Sequence, residues 1–459
     1  MANVAAAAGA GIEVRHIVAR IERLPYCSWH TKMRLIIATA WFFDAFDSLA
    51  IAYVLPSLIG MWKLAPQQIG SLIAVGFGGQ LIGSLGAGWI AERWGRLNTM
   101  LVTLLVFTLG SVACALAWSY DSMWWIRLVQ GIGLGGEVPI MAAYVNEFAK
   151  AEGRGRFSLS MQCLFAIGLS IVALVGVWVV PHLGWQWMFI IGAVPALLAI
   201  PLRTTLPESP RWLASKGRLR EADQALQRIE AISAREHGAL PPLPQNLPAA
   251  SEAKPRILDL FKGIYLRRTL AVWGIWICTY FITYGLTAWA PSLFRTVYHL
   301  DVQTSLIYGF VLSGIGLIGA LSAMLLIDWM GRRRMFIMGL GLGCLPLLLF
   351  ALGGEHSAEE VLALVCISFM FVSLLALSLA TYTAENYPTQ LRALGGGVAG
   401  GWQRGASMVG PIMVGWILPI WGLNAVFVVF GLFALVGCVI AYFFAIETRG
   451  QVLERLSPS

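Results

Sequence analysis

Glu92-Arg93-Trp94-Gly95-Arg96 and Asp328-Trp329-Met330-Gly331-Arg332 are two versions of one short polar turn, 236 positions apart from Gly95 to Gly331. Each turn sits between two long apolar runs. Other landmarks recur at nearly the same offset. Pro56-Ser57-Leu58 returns as Pro291-Ser292-Leu293, 235 positions on, and Glu147 and Arg154 return as Glu385 and Arg392, 238 positions on. Three landmarks in one order at nearly one offset imply a duplicated unit.

The runs themselves set the unit's nature. A helix needs about 20 apolar residues to cross the ~30 Å hydrocarbon core of a bilayer. Such runs occur near 35–60, 68–91, 99–119, 123–148, 158–180 and 185–204, then near 270–295, 303–328, 335–352, 360–384, 394–417 and 423–446. The composition agrees: 58% of the 459 residues are apolar, 12% are charged, and the mean hydropathy is +0.73. Soluble domains carry about 25% charged residues, so a cytosolic enzyme, a disordered chain and a disulfide scaffold are all excluded. The seven cysteines are scattered singly with no metal-ligand spacing. The expected fold is an all-α membrane protein, twelve transmembrane helices in two pseudo-symmetric six-helix bundles. The expected divisions are a tail (1–34), a first bundle (35–204), a central loop (205–269), a second bundle (270–446) and a second tail (447–459).

Basic residues give the orientation. With the N-terminus inside, 28 of the 32 Lys and Arg fall in cytoplasmic tails and loops, leaving Lys63, Arg295, Arg127 and Arg404. The net charge of +8 is thus a topology signal and not a nucleic-acid footprint. Both termini are expected in the cytoplasm, with Ile12–Leu24 as a short amphipathic helix on the first tail. The central stretch, with its charged run Arg218 to Glu236 and Pro-rich 241–248, reads equally as a flexible tether or as a gating or regulatory segment.

The chain resembles the major facilitator superfamily over essentially its whole length. The family's loop 2–3 signature, Gly-x-x-x-Asp-Arg/Lys-x-Gly-Arg-Arg/Lys, is met by Gly88, Glu92, Arg93, Gly95 and Arg96, with Glu in place of Asp and Leu97 in place of the last base. Asp328, Gly331, Arg332 and Arg333 keep its core in the second half, where Met324 and Trp329 depart. Arg127-Leu-Val-Gln130-Gly131, Gly135-Gly136-Glu137, and Glu385-Asn-Tyr-Pro388-Thr389 with Arg392 are similar to the branch of sugar porters, metabolite:proton symporters and aromatic-acid:proton symporters. Pro207-Glu208-Ser209-Pro210-Arg211-Trp212 is common to that branch and does not select a substrate. Asp44-Ala45-Phe46-Asp47 resembles the Asp-Gly-x-Asp motif of aromatic-acid symporters, with Ala45 where that motif has Gly.

Charge inside a membrane costs about 2.5–3.5 kcal/mol at mid-depth and marks function by default. Asp44 and Asp47 lie about 13 and 18 Å into the first span and share one helical face. Two carboxylates so close in a low dielectric resist being ionised together, which suits a proton carrier; the plain alternative is a fixed pair with an Arg. Glu137, between Gly136 and Pro139, is the third coupling candidate. Arg404, flanked by Trp402 and Gln403, is a candidate anchor for a substrate anion or a counter-charge to Asp44 or Asp47. Arg127, about 6 Å inside its span, either contributes to the site or snorkels. Gln162, Tyr280, Tyr284 and Tyr382 complete the candidate substrate contacts, with ordinary helix packing as the alternative for each.

A conformational latch at the cytoplasmic face is expected from Glu92, Arg93, Gly95, Arg96, Glu147 and Arg154, and from Asp328, Gly331, Arg332, Glu385 and Arg392. Charge-assisted bonds there would hold that side closed and break on opening. Gly131-Ile-Gly133-Leu-Gly-Gly136 satisfies a dinucleotide-binding pattern but lies within an apolar span, where small residues serve close helix packing. No enzyme motif, cofactor or metal is called for.

The leading functional expectation is a secondary transporter: proton-coupled symport of a small organic acid, aromatic by resemblance, by alternating access. Its partners are that acid, the proton and the bilayer, with a monomer as the functional unit in the bacterial inner membrane. The alternatives are a sugar, polyol or other metabolite porter, an exporter, and a transporter-like receptor.

Overall fold

A computed structural model describes residues 16–148, 154–244, 256–354 and 356–449; the side chains of 154–163, 351, 352 and 389 lie outside that description. With no water in a bilayer core, backbone groups must pair within their own segment, and helices do so. Among the described residues there is no strand. The membrane helices are α1 (Ser28–Trp62), α2 (Pro66–Trp94), α3 (Arg96–Ala115), α4 (Tyr120–Phe148), α5 (Arg154–Leu183) and α6 (Gln186–Thr205, with a 3₁₀ stretch at Val194–Leu198). The second set is α7 (Ile264–Thr296), α8 (Val302–Met330), α9 (Arg332–Leu352) and α10 (Ala358–Asn386), followed by α11 and α12, the two arms of Thr389–Phe444 on either side of Gly422 (φ 75°). Split at Gly422, these make twelve apolar helices among the described residues. Exposed apolar side chains such as Trp118 (79%) and Leu325 (81%) face where lipid would be.

Two six-helix bundles repeat one packing scheme. In the first, α2 and α3 pack on α4 and α1 packs on α5; in the second, α8 and α9 pack on α10 and α7 packs on the α11–α12 segment. The α2–α4 contact is backbone to backbone: a Cβ on Gly79 would stand 2.9 Å from the Cα of Gly131, and one on Gly83 would stand 3.0 Å from the Gly136 nitrogen. That explains the glycine pattern in α4. Between bundles α2 meets the α11–α12 segment, α5 meets α8, and α1 meets α7.

The two ends differ. Every residue of α1 from Asp44 to Pro56 is buried, and so is every residue of α7 from Phe281 to Phe294. These are the halves distant from the central loop. There the bundles lock together: Tyr53 donates to the Gly309 carbonyl (3.1 Å) and lies 2.9 Å from the Ser313 hydroxyl, and Phe77 meets Tyr284 at 4.7 Å. A Cβ on Gly70 would press on the Pro411 carbonyl, 3.3 Å from its carbon. At the loop end, α1 and α7 are partly accessible and the polar networks close within each bundle. The seal between the bundles lies at the far end.

The central segment is folded, not a slack tether, over residues 206–237. Helices Pro210–Ser215 and Leu219–His237 pack under the first bundle, and the N-terminal residues 16–23 form a helix laid against Leu219–His237. Arg20 donates to Glu230 (3.0 and 2.7 Å) and Asp223 (2.6 Å), while Arg23 reaches Glu230 (2.7 Å). Ser28, the first residue of α1, is held by Glu236 through its amide at 2.9 Å and through its hydroxyl. The part of the expected helix before residue 16, and residues 245–255 of the linker, lie outside the described residues.

Candidate functional site

The membrane charges of α1, α4 and α11 fall into two sets. In the first, Asp47 is fully buried and Arg127 is 2% exposed, with Nη1 3.9 Å from Asp47 Oδ2. Arg127 therefore does not snorkel. Its Nη1 donates to Gln130 (3.0 Å), Gln130 donates to the Ser111 hydroxyl (2.7 Å), and Ser111 donates to Asp47 Oδ1 (3.1 Å). Glycines make the space: a Cβ on Gly76 would stand 2.6 Å from Arg127 Nη2, and one on Gly192 would stand 2.7 Å from Asp47 Oδ1. Even so, Asp47 Oδ2 and Arg127 Nε have no hydrogen-bond partner. The pair is close and unclasped.

The second set of candidates comprises Arg404 on α11, Asp44 on α1, Tyr280 and Tyr284 on α7, and Glu137 on α4. Arg404 is half-buried, donates from Nη1 to the Gly400 carbonyl (3.2 Å), and leaves Nε without a partner. Asp44, 4% exposed, has neither a hydrogen-bond partner nor an ion pair among the described residues. Trp276, Tyr280 and Tyr284 stack along α7 at centroid separations of 5.2 and 6.1 Å, with interplanar angles of 17° and 20°. The i, i+4, i+8 spacing puts all three rings on one face. Glu137 is 1% exposed, and neither of its carboxylate oxygens has a partner. Burying a carboxylate without partners is costly unless it carries a proton or meets a counter-charge.

Other candidates lie elsewhere. Tyr382 sits at the loop end, where its hydroxyl accepts from the Ile446 amide (3.0 Å); it supports packing of the C-terminal segment and does not reach the cleft. Trp402 packs on Trp273 (5.5 Å), and two residues along a helix it points away from the Arg404 face. Gln403 is half-buried, and its carbonyl accepts from Ser407 (2.7 Å). The side chains of Gln162 and Arg154 lie outside the described residues. A small apolar pocket among Trp289, Phe294, Phe427 and Phe430 has no titratable lining residue and is separate from the charged groups.

At the loop end each repeated turn forms a charge cluster inside its own bundle. Arg96 binds Glu92 (2.6 Å) and Glu147 (2.9 Å), and Arg332 binds Glu385 (2.9 Å) and Asp328 (3.4 Å). Each cluster lies wholly within one bundle. Arg93 is exposed, and Arg392 donates to the Ala384 carbonyl (2.9 Å), not to a carboxylate. Gly95 and Gly331 have φ of 98° and 83°, which glycine tolerates. Each turn is capped by an acid from a later segment. Glu208 accepts from the Arg96 (2.9 Å) and Leu97 (3.1 Å) amides, and Glu447 accepts from the Arg332 (3.0 Å) and Arg333 (3.3 Å) amides. Burial raises the Glu208 carboxyl above the usual glutamate range, against the amide bonds that favour its charge. Glu447 is absent from the sequence-based candidates. Ile446-Glu447-Thr448 nevertheless repeats Pro207-Glu208-Ser209 at an offset of 239, one more landmark of the duplication. Gln130 belongs to the Arg127-Leu-Val-Gln130-Gly131 motif, whereas Ser111, a neutral residue in an apolar run, gave no such signal.

Comparison with known proteins agrees with this architecture. The model of the sugar (and other) transporter family matches residues 49–458, and the chain belongs to that family of major facilitator transporters. It is 31% identical over 444 residues to a niacin transporter of Acinetobacter baylyi, covering 96% of this chain and 99% of the relative. It is also 31% identical over 457 residues to an inner membrane metabolite transport protein of Escherichia coli, covering 96% and 98%. Among solved structures, a D-xylose-proton symporter superposes with a TM-score of 0.71 at 20% identity, covering 92% of this chain and 99% of that one, which speaks for the fold. The protein is a multi-pass membrane transporter and not an enzyme.

Proposed function

We propose that the protein imports a small aromatic monocarboxylate together with a proton, with a pyridine carboxylate such as nicotinate as its substrate. The observation that carries this reading is Arg404 with its unpartnered Nε, on a helix that packs against α7, which bears the Trp276, Tyr280 and Tyr284 ring stack. A guanidinium binds a carboxylate in fork geometry, and stacked rings suit a flat substrate. The niacin transporter of A. baylyi supports the same class.

Coupling is assigned to Asp47 and Glu137. Protonating Asp47 removes its attraction for Arg127, whose remaining bond to Gln130 stays within α4, and so frees α1 to move against α4. Glu137, with no partner to satisfy its charge, holds a proton in the same bundle. Asp44 is left to the substrate side of the site. The loops and tails with 28 of 32 basic residues are placed in the cytoplasm of a bacterial inner membrane, so the seal lies on the opposite side. A sugar porter is the second reading, supported by the family match; it gives Arg404 and Asp44 no role with a neutral ligand.

The test is counterflow of labelled nicotinate in proteoliposomes, competed by excess benzoate, nicotinate or D-xylose. Inhibition by the two acids and not by xylose is expected. Inhibition by xylose alone would transfer the assignment to sugars.

A further inference from the structure

Resting on the assignment of coupling to Asp47, we propose that Ser111 is a positioning residue for the transported proton: it holds Asp47 Oδ1 and leaves Oδ2 as the atom that takes and releases that proton. The polarity of the relay carries this. A guanidinium only donates, so Arg127 Nη1 fixes Gln130 Oε1 as its acceptor at 3.0 Å. The Gln130 amide nitrogen must then point the other way, and it donates to the Ser111 hydroxyl at 2.7 Å. With its oxygen engaged as an acceptor, Ser111 turns its own hydrogen to Asp47 Oδ1 at 3.1 Å. The Cys114 thiol, 3.6 Å from Gln130 Oε1, donates to the same amide oxygen and keeps it turned from Ser111. Every direction is dictated from Arg127 outward.

Packing fixes the relay in place. Asp47, Ser111 and Gln130 are all fully buried. Gly110, beside Ser111 on α3, lets α4 approach, because a Cβ there would stand 2.7 Å from Gln130 Cβ. Asp47 Oδ2 is left over: buried, without a hydrogen-bond partner, and 3.9 Å from Arg127 Nη1. The proton adds there from water on the side of entry, turning the carboxylate into a neutral acid, and returns to water on the side of release. Ser111, Gln130 and Arg127 keep their own protons throughout. A hydroxyl bonds an ionised carboxylate more strongly than a neutral one, so Ser111 favours the unloaded form and sets the pH at which Asp47 loads. The titratable side chains around this part of α1 are Arg127 and Glu137 on α4, Cys114 on α3, and Cys278, Tyr280 and Tyr284 on α7, with Asp44 one turn back on α1 itself. Those described on α2, α5, α6 and α8 stand near the helix ends. None of them is altered by a change at Ser111, so such a variant tests one bond.

The experiment is an infrared pH titration of the purified protein in lipid nanodiscs, for wild type, Ser111→Ala and Ser111→Cys. It follows the protonated-carboxyl band that Asp47→Asn removes. Losing a hydrogen bond to the charged form should move the midpoint of that band up by about one pH unit in Ser111→Ala. Ser111→Cys, a weaker donor, should fall between Ser111→Ala and wild type. The pH at which nicotinate counterflow falls by half should rise in the same order. A Ser111→Ala midpoint equal to or below that of wild type overturns the proposal. So does counterflow lost equally at every pH with an unmoved band, which would mark Ser111 as a packing residue. If wild type has no titrating band that Asp47→Asn removes, the proposal falls together with the coupling assignment. A shifted band in a protein that does not exchange nicotinate upholds the proposal and removes only the substrate.

Discussion

Arg404 and Asp47 show how one residue type acquires a different task from its surroundings. Arg404 has one bond to its own helix and one unpartnered N–H; the proposed site gives it a carboxylate to bind. Arg404→Gln should therefore weaken carboxylate binding about 10- to 100-fold, the value of a charged hydrogen bond. Equilibrium binding of nicotinate measures this, and unchanged affinity would remove Arg404 from the site. Asp47 is tied through Ser111 and Gln130 to Arg127. The depth of both acids follows from counting along α1, and their importance from the cost of charge in a membrane. Gln130 was legible only as part of a motif and Ser111 not at all, because a neutral polar residue in an apolar run has no periodic signature.

At the scale of elements, α1 and α7 are gates with one closed end. Gly309 on α8 admits Tyr53 and Pro291: a Cβ there would stand 2.6 Å from Pro291 Cγ and 3.2 Å from Tyr53 Cε1. Gly309→Val should prop the far end apart at a cost of about 1–3 kcal/mol, shifting the population toward the opposite-facing state. Spin labels at Met61 and Gln303, both exposed at that end, should report a longer distance; an unchanged one would place the seal elsewhere. The N-terminal helix is a second element with a definite test. Burial alone would raise the Glu230 carboxyl, but the hydrogen bonds from Arg20 and Arg23 outweigh it and hold the group below the usual glutamate range. A lowered value stabilises the contact above the ordinary glutamate pKa of about 4.3 and loses that stabilisation as the pH falls through the lowered value. Amide exchange over residues 16–24, corrected for intrinsic rates, should accelerate below about pH 4 in wild type, and about tenfold at neutral pH in Glu230→Gln. The charged run of the loop foretold a helix. Its docking partner was not foreseen, because the pairing with Arg20 spans 210 positions.

For the whole molecule, duplication explains both the fold and the direction of motion. Two similar bundles, each internally braced by Arg96–Glu147 or Arg332–Glu385, move as bodies while the contacts between them change. The repeat was readable because its landmarks, Pro56 with Pro291 and Gly95 with Gly331, mark a helix end and a turn that no neighbouring residue type replaces. The sealed end was not readable. A sequence encodes both states of a transporter, and only contacts such as Tyr53 with Gly309 reveal where the seal lies.

The most direct measurement is accumulation of labelled nicotinate in proteoliposomes with the outside made acid, for wild type and Asp47→Asn. Proton-coupled symport predicts accumulation above equilibrium in wild type and its collapse when the gradient is dissipated. Asp47→Asn should exchange nicotinate yet fail to accumulate it. Equal accumulation with and without the gradient would contradict the coupling and leave a passive carrier.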